Sequence, residues 1–361
     1  MSPKKVGIIT FHDSRNYGAV LQAYALQKKV SEYFPNTELI NYQNPEIEKD
    51  LKLWNYSGGI KGLLKAALSF VFRFRKKIAF DSFLNKYIPM SPSVNSGNIK
   101  RFSLKYDIVI TGSDQVWNTV LTKDDMQYFL PFCSSKHYRM AYAASFGDKK
   151  ISLSDDVKKE ISKFSLITLR EDDMLEEVRD AAQCPVGIAC DPSFLLKRSE
   201  WRKLCSKRLL KSKYVFLFMI DDSAELRKYA ERYAKKNGLK LVSNKNDINF
   251  FLHSSPMDFL SWILNAECII TNSFHGTVFS IIFHKKFVSH LRNTKGVPKQ
   301  RIINLLEQFR LSHRNTDNAQ LNMNQEEDWK YADEKIMQLK SRSWKQMKEK
   351  FDEIIGESNA R

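Results

Sequence analysis

The sequence has no cysteine pair at redox or metal-binding spacing, no long apolar run and no glycine-rich nucleotide fingerprint. Each absence narrows what the chain can be. Its five cysteines, Cys133, Cys184, Cys190, Cys205 and Cys268, are scattered and odd in number. A disulfide framework or a zinc site needs paired spacing, so neither is expected, and free thiols suit a reducing compartment. No other metal-ligand cluster occurs either, so no metal and no resident cofactor are expected. No uninterrupted apolar stretch approaches the roughly 18 to 20 residues that span a bilayer. The opening MSPKKVGIITF passes almost at once into an apolar strand, leaving no room for the apolar core and cleavage site of a signal peptide. A protein lying in the cytoplasm, at least in its bulk, is the expectation. There is also no G-x-G-x-x-G, no arginine-rich tail and no nucleic-acid motif, and nothing repeats at solenoid period.

What the chain does have is length and positive charge. Its 361 residues exceed one ordinary core and suit two domains. Hydrophobic and charged fractions of 43% and 27% are those of globular proteins, which excludes wholesale disorder. A formal net charge of +17 calls for a partner: nucleic acid, an anionic membrane surface or an anionic small molecule. With the cations spread along the chain and no motif to organise them, nucleic acid is not expected. The densest basic stretch is 60–77, IKGLLKAALSFVFRFRKK. There Leu63, Leu64, Ala67, Leu68, Val71 and Phe72 recur at helical spacing among Lys61, Lys65, Arg73, Arg75, Lys76 and Lys77. Such a helix either packs its stripe on its own core or lies on an anionic bilayer, and both readings stay open.

Apolar strands alternate with helical stretches along the chain. Strands are expected at 5–11, 39–43, 106–114, 138–145, 165–170 and 186–191, with helices from 19 and over 155–164 and 171–182. After a polar, lysine-rich passage near 201–212 a second series follows at 214–220, 239–243, 267–272 and 286–290, with helices over 223–237, 256–265 and 276–283. Alternation of this kind implies mostly parallel sheets with helices on their faces. The expected fold is therefore α/β, two Rossmann-like domains facing a cleft in the GT-B-like manner, with C-terminal amphipathic helices. The expected division is 1–208, the acceptor side, then 209–325, then a helical tail over 326–361 packing back on the body.

Ligands of open α/β sheets bind at the carboxyl ends of the strands, and three strand-end loops stand out. HDSRNYG, 12–18, has Gly18 opening a helix whose backbone N–H groups suit an anion, with His12, Arg15, Asn16 and Tyr17 as ligand-facing candidates. A plain polar loop is the alternative. TGSDQVWN, 111–118, offers Asp114 as a base or a sugar-hydroxyl acceptor and Trp117 as a stacking platform; alternatively Ser113 or Asp114 caps the next helix. The third is TNSFHGTVFSIIF, 271–283. A buried strand runs into His275 and Gly276, and an apolar helix follows at once. A positive helix end disfavours imidazolium and so suits a neutral base, and Gly276 admits a ligand close to the backbone. His253, His284, His290 and His313 have no such setting and read as structural.

Taken in order, GIITFHDSRNYGAVLQAYAL, ITGSDQVWN, AYAASFG, TLRE, DPSFLL and TNSFHGTVFSIIF resemble the polysaccharide pyruvyl transferase family over roughly residues 6–310. The resemblance implies a GT-B-like pair of Rossmann folds and transfer of the pyruvyl group of phosphoenolpyruvate onto two hydroxyls of a sugar. The product is a pyruvate ketal, formed with release of phosphate. It makes His275 the general acid or base and Asp114 the group that orients or deprotonates the acceptor hydroxyl. For the donor it implies Arg170, suited to bidentate anion binding, with Lys299, Arg301 and the motif neighbours Ser273, Phe274, Gly276 and Thr277. An ion pair with Glu171 or Asp172 is the alternative role for Arg170. Some family members carry S-R-L-H where this chain has Asn272-Ser273-Phe274-His275, a version similar to a capsule and exopolysaccharide branch. The acceptor implied is a saccharide, lipid-linked in many such pathways, which would give the basic helix at 60–77 a purpose. Two other functions fit the same fold: a glycosyltransferase using a nucleotide sugar, and a non-catalytic sugar- or membrane-binding module. Ligand-induced stabilisation separates the first, and loss of turnover in His275→Ala separates the second.

Overall fold

The structure is a computed structural model. It describes residues 4–44, 59–147, 151–245, 247–292, 299–317, 323 and 325–360, with side chains left aside at 59–69 and 358–360. The chain divides into two compact units. One comprises Met1–Asn55, Asp81–Leu196 and Met337–Arg361; the other comprises Tyr56–Phe80 and Lys197–Ile336. This places the expected boundary near 208 at 196/197, sends the tail from 337 to the first unit and sends 56–80 to the second.

The first unit is built on six parallel strands in the order β2-β1-β3-β4-β5-β6. They are β1 (Lys5–Ile9), β2 (Asn36–Leu39), β3 (Ile108–Asp114), β4 (Tyr138–Ala144), β5 (Leu166–Leu169) and β6 (Val186–Ile188). Every residue of β3 is buried, as expected of a central parallel strand covered on both faces. Strand β2 lies earlier than the apolar LINYQ suggests. Asn36, Thr37 and Glu38 form the strand and Leu39 ends it. As the outermost strand of the sheet, β2 tolerates polar residues: Glu38 accepts from the Tyr106 hydroxyl at 2.7 Å and pairs with Lys105 at 2.6 Å. The helix Tyr17–Ser31 follows β1, and the tail is one helix, Trp329–Ala360. Its Trp344 and Phe351 pack on Tyr33, Phe34 and Tyr142 of this unit. The Ser343 hydroxyl accepts from the Cys190 N–H at 2.8 Å.

The second unit carries four parallel strands in the order β10-β9-β7-β8. They are β7 (Tyr214–Phe218), β8 (Lys240–Ser243), β9 (Cys268–Thr271) and β10 (Phe287–Ser289). The helix Ala224–Lys236 supplies Leu226, Ala230 and Ala234 to a core with Val215, Leu217, Cys268 and Ile270. The helix Pro256–Asn265 packs its other face through Phe259 and Trp262 onto Phe216. A 29-residue helix, Gly59–Tyr87, contains the basic stretch, and its Phe72 stacks on Phe251 at 4.7 Å.

All five cysteines are free thiols. Burial pushes the thiols of Cys133, Cys205 and Cys268 up to about 12 and those of Cys184 and Cys190 up to about 11. Among the described residues no helix is long and apolar enough to cross a membrane.

Candidate functional site

In an open parallel sheet, the two strands from which the chain departs in opposite directions leave a crevice at their carboxyl ends. In the second unit those strands are the neighbours β7 and β9. The segment after β9 is Asn272-Ser273-Phe274-His275, and its geometry follows from a chain of short polar contacts. The Thr271 hydroxyl donates to the Phe218 carbonyl at 2.7 Å and accepts from the Ser273 N–H at 3.0 Å, fixing where the chain leaves the sheet. Asn272 reaches across to the end of β7: its Oδ1 accepts from the Ile220 N–H and its Nδ2 donates to the Asp221 carbonyl, both at 2.8 Å. Ser273 caps the helix Phe274–Ile282 by accepting from the Gly276 N–H at 3.2 Å. The helix therefore starts two residues before the expected 276, and His275 stands inside its first turn rather than ahead of it.

His275 is 8% exposed, with the Phe274 ring edge-on at 5.3 Å. Gly276 has no room for a side chain: a Cβ there would meet the Thr271 hydroxyl at 2.6 Å. Thr277 turns inward, donating to the Ser273 carbonyl at 3.0 Å and bonding the Ser289 hydroxyl at 2.8 Å, so it locks the helix to β10. Two cations lie against this turn. The Lys299 ammonium donates to the Asn272 carbonyl at 2.9 Å and to Asp221 at 2.7 Å, and the Arg301 guanidinium lies over the Phe274 ring at 5.7 Å. The structure thus brings together His275, Ser273, Phe274, Gly276, Thr277, Lys299 and Arg301. It adds Asp221 and makes Asn272 the tie between strands. Asp221 was visible as the first acid after the apolar run YVFLFMI.

The first unit has the corresponding pair in β1 and β3. Here the expectations meet a different arrangement. His12 is buried, with Nδ1 at 3.1 Å from the Thr10 carbonyl and Nε2 at 3.0 Å from Asn41 Oδ1. The helix begins at Tyr17, which is buried, and the Asn16 side chain accepts from the Gly18 N–H at 3.0 Å. That N–H, expected to bind an anion, is satisfied within the loop. Arg15 is half-buried, and its φ of 47° lies in the left-handed region. Trp117 does not present a face to a sugar. It is fully buried, stacked on Phe129 at 5.2 Å and flanked by Phe146 and Phe164, with its indole N–H donating to the Tyr128 carbonyl.

Arg170 also departs from its expected role. Its side chain is 4% exposed and is held by three carboxylates: Glu171 at 3.0 Å, Asp191 at 3.2 Å and Asp114 at 3.5 Å. Burial disfavours the guanidinium charge, but Glu171, Asp114 and Asp191 outweigh it and hold the arginine charged. One cation among three anions does not recruit a further anion, so the guanidinium ties strand ends together instead of binding a donor. Asp114, 9% exposed, also accepts from the Gln115 N–H at 2.9 Å and does not cap a helix; Asn118 caps the next one. Asp191 caps its own turn through the Ser193 N–H at 2.9 Å. Segments ITGSDQVWN, TLRE and DPSFLL meet in this ion cluster.

Comparison with solved structures finds partial likenesses. A putative UDP-N-acetylglucosamine 2-epimerase from Listeria monocytogenes is 11% identical, covering 95% of this chain and 97% of that one, with a TM-score of 0.48. HepE of Anabaena, solved with UDP and glucose, is 9% identical, covering 96% and 100%, with a TM-score of 0.44. The ADP-heptose lps heptosyltransferase II of E. coli is 10% identical over 92% and 99%, with a TM-score of 0.34. Among curated proteins nothing matches. The family model for polysaccharide pyruvyl transferase matches residues 16–293, a span that runs from the cap of the first helix past the His275 turn. The chain belongs to the polysaccharide pyruvyl transferase family, and is a transferase.

Proposed function

We propose that the chain moves the pyruvyl group of phosphoenolpyruvate onto two hydroxyls of a saccharide, free or lipid-linked, with His275 as the acid–base group. The observation that carries the reading is the convergence of His275, Lys299, Arg301 and a capped helix start at the β7/β9 switch point. The reaction needs three things. A proton must reach the methylene carbon of the donor, the acceptor hydroxyls must lose theirs, and cations must hold carboxylate and phosphate. Each hydroxyl oxygen bonds the same carbon and gives up its proton. One proton is added to the methylene and makes the methyl group, the C–O bond to phosphate breaks with its electron pair going to phosphate, and the second proton leaves on the phosphate. No water is consumed and no redox partner is required.

An ammonium has three N–H donors. Two of those on Lys299 go to Asp221 and Asn272; in this reading a third binds an oxygen of the donor. Arg301 adds a planar fork suited to carboxylate or phosphate. In a motif reading Asn272-Ser273-Phe274-His275, these two cations take the part that an arginine beside the histidine plays in S-R-L-H members. Incubation with phosphoenolpyruvate and a panel of saccharides, reading phosphate release and a mass gain of one pyruvate less one water, tests the proposal. His275→Asn is expected to lower kcat by about 10²- to 10⁴-fold, the usual worth of a positioned acid or base, with Tm unchanged. Arg301→Gln is expected to lower kcat/KM for phosphoenolpyruvate by roughly 10- to 100-fold, the value of a charged hydrogen bond. Turnover with a nucleotide sugar and none with phosphoenolpyruvate would overturn the reading.

A further inference from the structure

The helix Gly59–Tyr87 leaves a face uncovered in the second unit. Val71, Phe74 and Ile78 are 50%, 45% and 52% exposed, at i, i+3 and i+7, so they form one stripe. Phe72 lies about a quarter-turn round the helix and is committed to the unit, stacked on Phe251 at 4.7 Å. That stack joins the helix to a second one, Ile248–Leu252, which exposes Ile248 and Leu252 to 54% and 47%. A further exposed apolar residue lies at the end of β7. The Lys245 ammonium donates to the carbonyl of Ile220, itself 46% exposed, and the Ile220 N–H is held by Asn272 of the motif. Large apolar side chains at this exposure, on elements packed on one another, are uncommon on a protein that meets only water.

Charge selects the occupant. Between Phe70 and Ile78 the helix carries Arg73, Arg75, Lys76 and Lys77 and no acid. A second copy of the chain docked on this face about a two-fold axis would set these cations against their own symmetry mates. A bilayer with anionic headgroups meets both features at once: the apolar stripe enters the boundary between headgroups and chains while Arg75 and Lys77, which flank it on the helix, stay among the phosphates. We infer that the stripe Val71-Phe74-Ile78, with Ile248 and Leu252, is a docking surface for an anionic lipid membrane. The end of β7 is tied to the segment that precedes the helix Ile248–Leu252 through Lys245 and Ile220, and to the motif through Asn272. Docking therefore holds the His275 turn close to the lipid surface, where a lipid-linked saccharide would arrive. That last consequence rests on the proposed transfer reaction; the docking itself does not.

Sedimentation of the full chain with phosphatidylcholine vesicles, with and without phosphatidylglycerol, tests the inference without reference to turnover. Binding is expected to need the anionic lipid and to weaken as salt rises. Each basic residue near such a surface is worth about 1 kcal/mol, or about fivefold. Arg75→Gln with Lys77→Gln is therefore expected to weaken binding roughly 30-fold, and Phe74→Glu with Ile78→Glu to abolish it. Circular dichroism and Tm should stay at wild-type values, since these side chains point to solvent. Equal binding to neutral vesicles overturns the inference, and so does wild-type binding by the Phe74→Glu, Ile78→Glu variant. A concentration-dependent dimer lost in that variant, with no vesicle binding by wild type, overturns it in favour of a second copy.

Discussion

Arg170 shows most directly how a residue's neighbours decide its role. From sequence it stands at a strand end, where an arginine suits an anionic ligand; in the fold its guanidinium is fully engaged by Asp114, Glu171 and Asp191. Removing one partner of a buried ion cluster costs more than the pair contributes, because the remaining charges stay buried without compensation, typically 3 to 5 kcal/mol. Arg170→Met leaves three carboxylates facing one another, so a loss of about that size is expected in urea unfolding, larger than for Asp191→Asn, which leaves two carboxylates on the arginine. A ligand-binding arginine would show the opposite pattern, intact stability with lost donor affinity. The setting of His275 was legible because strand end, helix start and glycine are adjacent in sequence. The placement of Trp117 was not: its ring is covered by Phe129, Phe146 and Phe164, which the sequence separates and only the fold assembles.

At the scale of elements, strand existence was legible and helix starts were less so. The apolar runs at 214–220 and 267–272 became β7 and β9 within a residue or two at each end, because a parallel strand buried on both faces needs continuous apolar residues. Edge strand β2 carries Asn36, Thr37 and Glu38 and so lacked that signal. Helix starts are set by single caps, which periodicity does not register. Ser273 moved one helix start to 274, while Ser255 marks another where the signal was complete: a capping box with Asp258 and a proline at the first turn. Ser255 accepts from the Asp258 N–H at 3.0 Å, and the Asp258 carboxylate accepts from the Ser255 N–H at 3.0 Å. Ser255→Ala is expected to cost about 1 kcal/mol, with Ser255→Asp restoring most of it. Equal melting temperatures for Ser255→Ala and wild type would show that this cap contributes nothing.

For the whole molecule, neither sequence periodicity nor the motifs revealed that each unit is assembled from separated stretches, since that depends on which distant surfaces the helices Gly59–Tyr87 and Trp329–Ala360 cover. Charge, by contrast, is a whole-chain property and predicts behaviour in acid. The formal charge is already +17 at neutrality and grows as pH falls, so self-repulsion acts against the compact state throughout. Two specific groups set where the loss begins. In the second unit, His284 is held below its ordinary 6.5 by burial and by the charge of Arg198, against the pull of Asp333. Its ring stacks on Trp329 at 4.8 Å. A lowered folded value means that the unfolded chain binds the proton more readily, so the contribution is complete above 6.5 and is lost as pH falls below it. In the first unit burial tends to raise Glu38, but hydrogen bonds and charges from Lys105, Tyr106 and Lys5 hold it below its ordinary 4.5. Its contribution is present above 4.5 and is lost only as pH falls below that. Tm is therefore expected to be flat from pH 8 to 7, to decline first as pH falls below 6.5, and to fall again below 4.5. His284→Gln, which keeps a hydrogen-bonding group but cannot take the charge, should remove the first decline and leave the second. An unchanged first decline in that variant would assign it to general charge repulsion.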